Sequence, residues 1–104
     1  MDNRDKLQHD LEAIIGEGNV YFQPPESIKL SYPCIVYERN DIGKFTANDK
    51  LYMKNESYIA TLITKDPDDS LIDSILELDY CSFNRHFVID NLIHEVFTIY
   101  IRRK

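Results

Sequence analysis

Three histidines, two cysteines and one cluster of carboxylates are the side chains here that could do catalytic or metal chemistry. Their spacing limits what that chemistry could be. His9, His86 and His94 form no i, i+4 pair on one helix. His86 and His94 flank the turn of an expected hairpin with Asp90 and Glu95 nearby, which leaves a metal site geometrically open. No recognised ligand spacing supports it, and two half-exposed strand histidines account for the same pattern. Cys81 and His86 are the residue types of a nucleophile and its base. Along an extended segment they are expected on opposite faces and over ~15 Å apart, too far for a hydrogen bond. Cys34 and Cys81 match no metal or redox spacing. Each lies in an apolar stretch where a thiol packs as a small hydrophobe, so reduced thiols are expected. Asp66, Asp68, Asp69 and Asp73 could attract a hard cation, but the glycine and terminal glutamate of a calcium loop are missing. A helix N-terminus explains them at lower cost. Gly16-Glu17-Gly18 follows a helix pattern rather than a strand, so it is no phosphate loop. The expectation is a protein with no catalytic, cofactor-binding or metal residues, and so no enzyme.

The elements that must position these residues are legible in part. Leu7, Leu11, Ile14 and Ile15 fall at i, i+4, i+7 and i+8, one apolar stripe of a helix. Asp2 and Asn3 can cap its start, and Gly16 with Gly18 ends it. Asn19 to Gln23 is short and aromatic, and Pro24-Pro25 stops it, which marks an edge strand or an extended segment leading into a loop. Residues 26–32 connect it to Cys34–Arg39, a strand so apolar at its start that both faces must be covered. Residues 40–54 show neither helical nor strand periodicity and predict a long loop, of the kind that carries function or is mobile. Asn55 to Thr64 alternates as a strand. Asp66, with Pro67 behind it, predicts the start of a helix whose stripe is Leu71, Ile72, Ile75 and Leu76. Phe83–Ile89 and Leu92–Ile101 read as two strands around a tight Asp90-Asn91 turn. This order predicts an α+β fold in one domain spanning 1–104: a mostly antiparallel sheet of four or five strands with two helices packed on one face.

Composition narrows the partners. The chain of 104 residues is 43% hydrophobic and 29% charged, a globular balance. Seven Tyr and five Phe lean toward protein interfaces. A net charge of −6 repels phosphate backbones, which argues against sequence-independent nucleic-acid binding. Arg102-Arg103-Lys104 is a local basic exception, read as a solvated end. Met1 is followed by a polar run rather than a signal sequence, and no apolar stretch nears the ~18–20 residues of a membrane span. A soluble cytosolic product that binds other proteins is expected.

Several segments together resemble a known family. Val20-Tyr21-Phe22-Gln23-Pro24-Pro25 comes first, then Tyr32-Pro33-Cys34-Ile35-Val36-Tyr37-Glu38-Arg39, Ala47-Asn48-Asp49-Lys50 and Asp66-Pro67-Asp68. The run Phe83-Asn84-Arg85-His86-Phe87-Val88-Ile89-Asp90-Asn91-Leu92 follows, with His94 and Val96-Phe97-Thr98 after it. In this order they resemble the tail-completion (tail-terminator) proteins of long-tailed bacteriophages. The resemblance runs over nearly the whole chain, as a family texture rather than a catalytic signature. It implies an α+β subunit that forms a hexameric ring, caps the tail tube and presents the tail side of the head–tail joint. Its partners would be copies of itself, the tail-tube protein and the head–tail connector. DNA would only pass through the ring; a lumen lined by the acids behind the −6 charge of each copy is a hypothesis that would let it pass without sticking. The expected location is the virion tail, with the host cytoplasm during assembly. No cofactor accompanies the role. The apolar residues of the expected loop make it the candidate subunit or tube contact: Phe45, Asn48, Asp49, Lys50, Leu51, Tyr52 and Met53. The alternatives are a head-completion protein at the same joint, a minor tube component, or a small acidic protein-binding regulator. An enzyme built around His86 and His94 stands behind these.

Overall fold

The structure, a computed structural model, describes residues 3–47, 50–66, 69–78 and 81–103. For residues 3, 41–55, 102 and 103 it describes the backbone course alone. The elements in chain order are α1 (Asn3–Ile15), β1 (Val20–Phe22), β2 (Cys34–Ala47), β3 (Lys50–Thr64), α2 (Leu71–Leu76), β4 (Cys81–Ile89) and β5 (Leu92–Arg103). They build one five-stranded sheet of order β1-β2-β3-β5-β4. Among the described residues only the β1–β2 pair is parallel. The fold is therefore α+β with a mostly antiparallel sheet, as the sequence predicts.

Alternation places one apolar set on the helix side. Ile35 and Tyr37 of β2, Tyr58, Ala60 and Leu62 of β3, and Phe97 and Ile99 of β5 form one buried cluster with Leu7 and Leu11 of α1 and Ile75 of α2. Both helices thus cover the same face, and the α1 stripe docks as its spacing requires; Ile14 and Ile15 pack at its margin. Gly16 ends the helix at φ 106°, a conformation that costs a residue with a Cβ, and its N–H donates to Glu12 O at 2.7 Å. Asp90 and Asn91 at φ 52° and 64° make the two-residue turn between β4 and β5. Among the described residues no helix is long and apolar enough to cross a membrane.

Three expectations are corrected. Residues 40–54 are not a long loop: β2 runs on to Ala47 and β3 starts at Lys50, paired from Asp41↔Ser57 to Ala47↔Lys50. The second helix begins at Leu71 rather than just after Asp66. Asp69 takes the capping work instead, its Oδ1 accepting the Leu71 N–H at 2.9 Å and its Oδ2 the Thr64 hydroxyl at 2.9 Å. Thr64 Oγ1 in turn accepts the Asp66 N–H, which ties that stretch into a turn. Pro67 and Asp68 lie outside the described residues. Finally, Cys81 and His86 share a face of β4, because a bulge between Phe83 and Arg85 shifts the register by one residue.

Candidate functional site

The potentially reactive side chains are placed apart. His86 stands opposite Glu95 on β5, and His94 stands opposite Phe87, so the two histidines belong to opposite faces of the sheet. His94 stacks on Phe87 with ring centroids 4.7 Å apart and planes 13° from parallel. Its Nδ1 lies 3.1 Å from Leu92 O, to which the Nδ1-protonated ring donates. Cys34 is fully buried, and burial pushes its thiol from 9.0 up to about 11. Cys81 is half-buried and shifted in the same direction for the same reason. A raised thiol is a poor nucleophile at neutral pH. Among the described residues no group of three or more His, Cys, Asp or Glu could hold a metal ion.

Polar groups do converge under α1, but their roles are structural. The Tyr37 hydroxyl donates to Gln8 Oε1 at 2.5 Å, and Tyr58 donates to Glu56 Oε2 at 3.0 Å. Glu56 is 3% exposed, with Arg39 Nε 3.7 Å from the same oxygen. The two tyrosine rings meet edge-on at 5.9 Å, and Arg4 lies over the Phe22 ring at 4.5 Å. Burial raises the pKa of both tyrosines, so the hydroxyls stay protonated and can donate. The cluster pins α1 to β2 and β3. It opens no cleft.

On the helix-free face, segment 24–30 arches over the start of β2 and leaves a groove of about 340 Å³. Pro24, Ile28, Leu30, Val36, Ile63 and Phe87 are among the residues that line it. This arch is the second cover that the apolar start of β2 demanded: Cys34 and Ile35 are both wholly buried. Sequence reading placed a connector here without seeing the groove. A run of isolated apolar residues between prolines was the available signal.

Strand edges are further features of the described surface. β1 pairs with β2 only from Ile35 to Tyr37, and β5 stops pairing with β3 at Lys54↔Arg103. Residues 44–47 and 50–53 therefore form a two-stranded tip with no third strand among the described residues. Phe45, Lys50, Leu51, Tyr52 and Met53, expected in a contact loop, stand on this tip as strand residues. Asn48 and Asp49 lie outside the described residues. At the opposite side of the sheet β4 is an edge strand, with Phe83, Val88 and Ile89 47%, 60% and 53% exposed. Sequence reading missed this edge, since strand order is not written in local periodicity. No family model matches the chain, and no curated protein matches it.

Proposed function

We propose that this protein is a structural subunit of virion assembly, which caps a phage tail tube as a ring and forms the tail side of the head–tail joint. The observation that carries the reading is the arm formed by β2 and β3 beyond the last residue that β1 covers. An isolated two-stranded ribbon is marginally stable in water and gains stability by adding strands or packing on another surface. An arm of this kind suits a protein whose final contacts are made with neighbours. The resemblance to tail-completion proteins supplies the neighbours: copies of itself, the tail-tube protein and the connector. The net charge of −6 is compatible with a ring that DNA passes without adhering.

The test mixes purified protein with purified tail tubes and follows mass by light scattering and form by negative-stain microscopy. The expected result is a six-fold mass and a ring at one tube end. A strict monomer that binds neither tube nor connector would overturn the reading.

A further inference from the structure

Strand β4 ends the sheet, and its outer edge has no neighbouring strand among the described residues. The hydrogen bonds at the far side of the sheet show which of its backbone groups are open. Ile35 N–H donates to Asn19 O at 2.8 Å and Gln23 N–H to Tyr37 O at 2.9 Å, so residues 35 and 37 turn their peptide groups toward β1. That direction alternates from residue to residue along a strand. Cys34 and Val36 therefore face β3, where they stand opposite Ile63 and Thr61. Leu62 and Ala60 face β5, opposite Glu95 and Phe97. His94, Val96 and Thr98 face β4, opposite Phe87, Arg85 and Ser82. The outward groups of β4 are then those of Cys81, Phe83, His86 and Val88. Their spacing is two, three and two residues, because the bulge inserts Asn84 between Phe83 and Arg85.

That irregular spacing narrows the choice of partner. A regular strand presents open groups at every second residue, so it can follow β4 on one side of the bulge only. A second copy running antiparallel reads the same spacing in reverse. Setting Cys81 opposite Val88 and Phe83 opposite His86 of the second copy brings open groups together on both sides of the bulge. The two-fold axis then passes between Asn84 and Arg85. Side-chain direction agrees with this register. Cys81 and Phe83 stand opposite the core residues Ile99 and Phe97, and His86 stands opposite Glu95, level with Leu62, so these three lie on the helix-packed face with Val88. Ser82, Arg85 and Phe87 lie on the other face, where Asn84 Nδ2 donates to Thr98 Oγ1 at 3.2 Å. Opposed residues must share a face, and every pair from 81 to 88 does. A register centred on Phe87 would join only residues 85–89 and stop short of the bulge.

Burial and charge favour the same pair. Phe83 and Val88 are 47% and 60% exposed, and pairing the edges covers both. The strand carries no proline or lysine, residues that commonly blunt a free edge. Arg85 is its one fixed charge, and it falls opposite Asn84 rather than another charge. Its guanidinium carbon lies 5.6 Å from the centre of the Phe87 ring, on the side away from the two-fold axis, so the two arginines lean apart.

We infer that two copies of this chain pair through β4 about a two-fold axis, Cys81 of each opposite Val88 of the other, and join their sheets into one. Such a contact is isologous and closed: it uses up both edges and cannot propagate. It is separate from the ring reading above and does not rest on it. The test uses the full chain without tail tubes. Val88→Cys, oxidised with diamide and run on a non-reducing gel, should give a covalent dimer linked from position 88 to Cys81, because directly opposed strand residues come within disulfide reach. Within one copy these positions lie about 23 Å apart along the strand, so the link forms only between copies. Adding Cys81→Ser should abolish the band. Sedimentation of the wild type should show a concentration-dependent dimer, and Val88→Lys should weaken it at least tenfold, with far-UV circular dichroism unchanged in each variant. A wild type that stays monomeric up to about 1 mM would overturn the pairing. So would a dimer indifferent to Val88→Lys, or a cross-link that survives Cys81→Ser. None of these outcomes bears on ring formation, which is read only with tail tubes present.

Discussion

At the residue scale, Tyr58 shows how the apolar face tolerates a carboxylate. Its ring packs in the cluster while its hydroxyl reaches Glu56, which is almost wholly buried and sits 3.7 Å from Arg39. Tyr58→Phe keeps the ring and removes one donor from a buried acceptor, so a loss of about 1–3 kcal/mol is expected in denaturant unfolding. A change below about 0.3 kcal/mol would mean that water or Arg39 replaces the bond. Cys34 makes a different prediction. Its thiol ionises near 9.0 when unfolded but is pushed to about 11 by burial in the fold. The unfolded chain therefore releases this proton first, and the stabilising contribution, intact below pH 9, falls away as pH rises through 11. Tyr37 and Tyr58, raised from 10.0, act in the same direction over a higher window. Stability should fall with alkaline pH, and Cys34→Ala should flatten the fall between pH 9 and 11. An unchanged slope would place the titration elsewhere.

At the scale of elements, the β2–β3 arm is the part whose removal separates folding from assembly. The described core lies in α1, β1, the start of β2, the end of β3, α2 and β5, clear of the arm's tip. Replacing residues 44–52 with a short turn should leave the thermal midpoint within a few degrees and abolish ring formation on tail tubes. A collapse of the midpoint would show that the arm supports the body. This is also the element that the sequence concealed. Strand alternation is imprinted by one buried face, and bulges between Arg39 and Asp41 and between Phe45 and Thr46 interrupt the period of two. The α1 stripe and the Phe97, Ile99, Ile101 face were legible because each answers to a single core. The start of α2 was misplaced because three aspartates compete for one capping task, and which succeeds depends on Thr64 across the turn. The β4 edge was hidden for another reason: Asn84 and Arg85 read alike whether β4 lies at the margin or the centre of a sheet.

At the scale of the whole molecule, the arm sets the dimensions. The principal extents are 51 × 23 × 23 Å and the Cα radius of gyration is 14.9 Å. A compact chain of this length would have a radius of gyration of about 13 Å. The excess comes from a ribbon reaching past the helix-packed body. Its residues 44–47 and 50–53 stand beyond the last β5 partner, Arg103. Small-angle scattering on dilute monomer can test this directly. The intact protein should give about 15 Å with a tail in the distance distribution near the long dimension, and the variant shortened at 44–52 should contract toward the compact value. Contraction without loss of circular dichroism would mean that the arm stands free before assembly, ready to meet a neighbour without first detaching from its own body. If the intact protein already measures about 13 Å, the arm folds back in solution. Assembly would then have to open it first, and ring formation should slow accordingly.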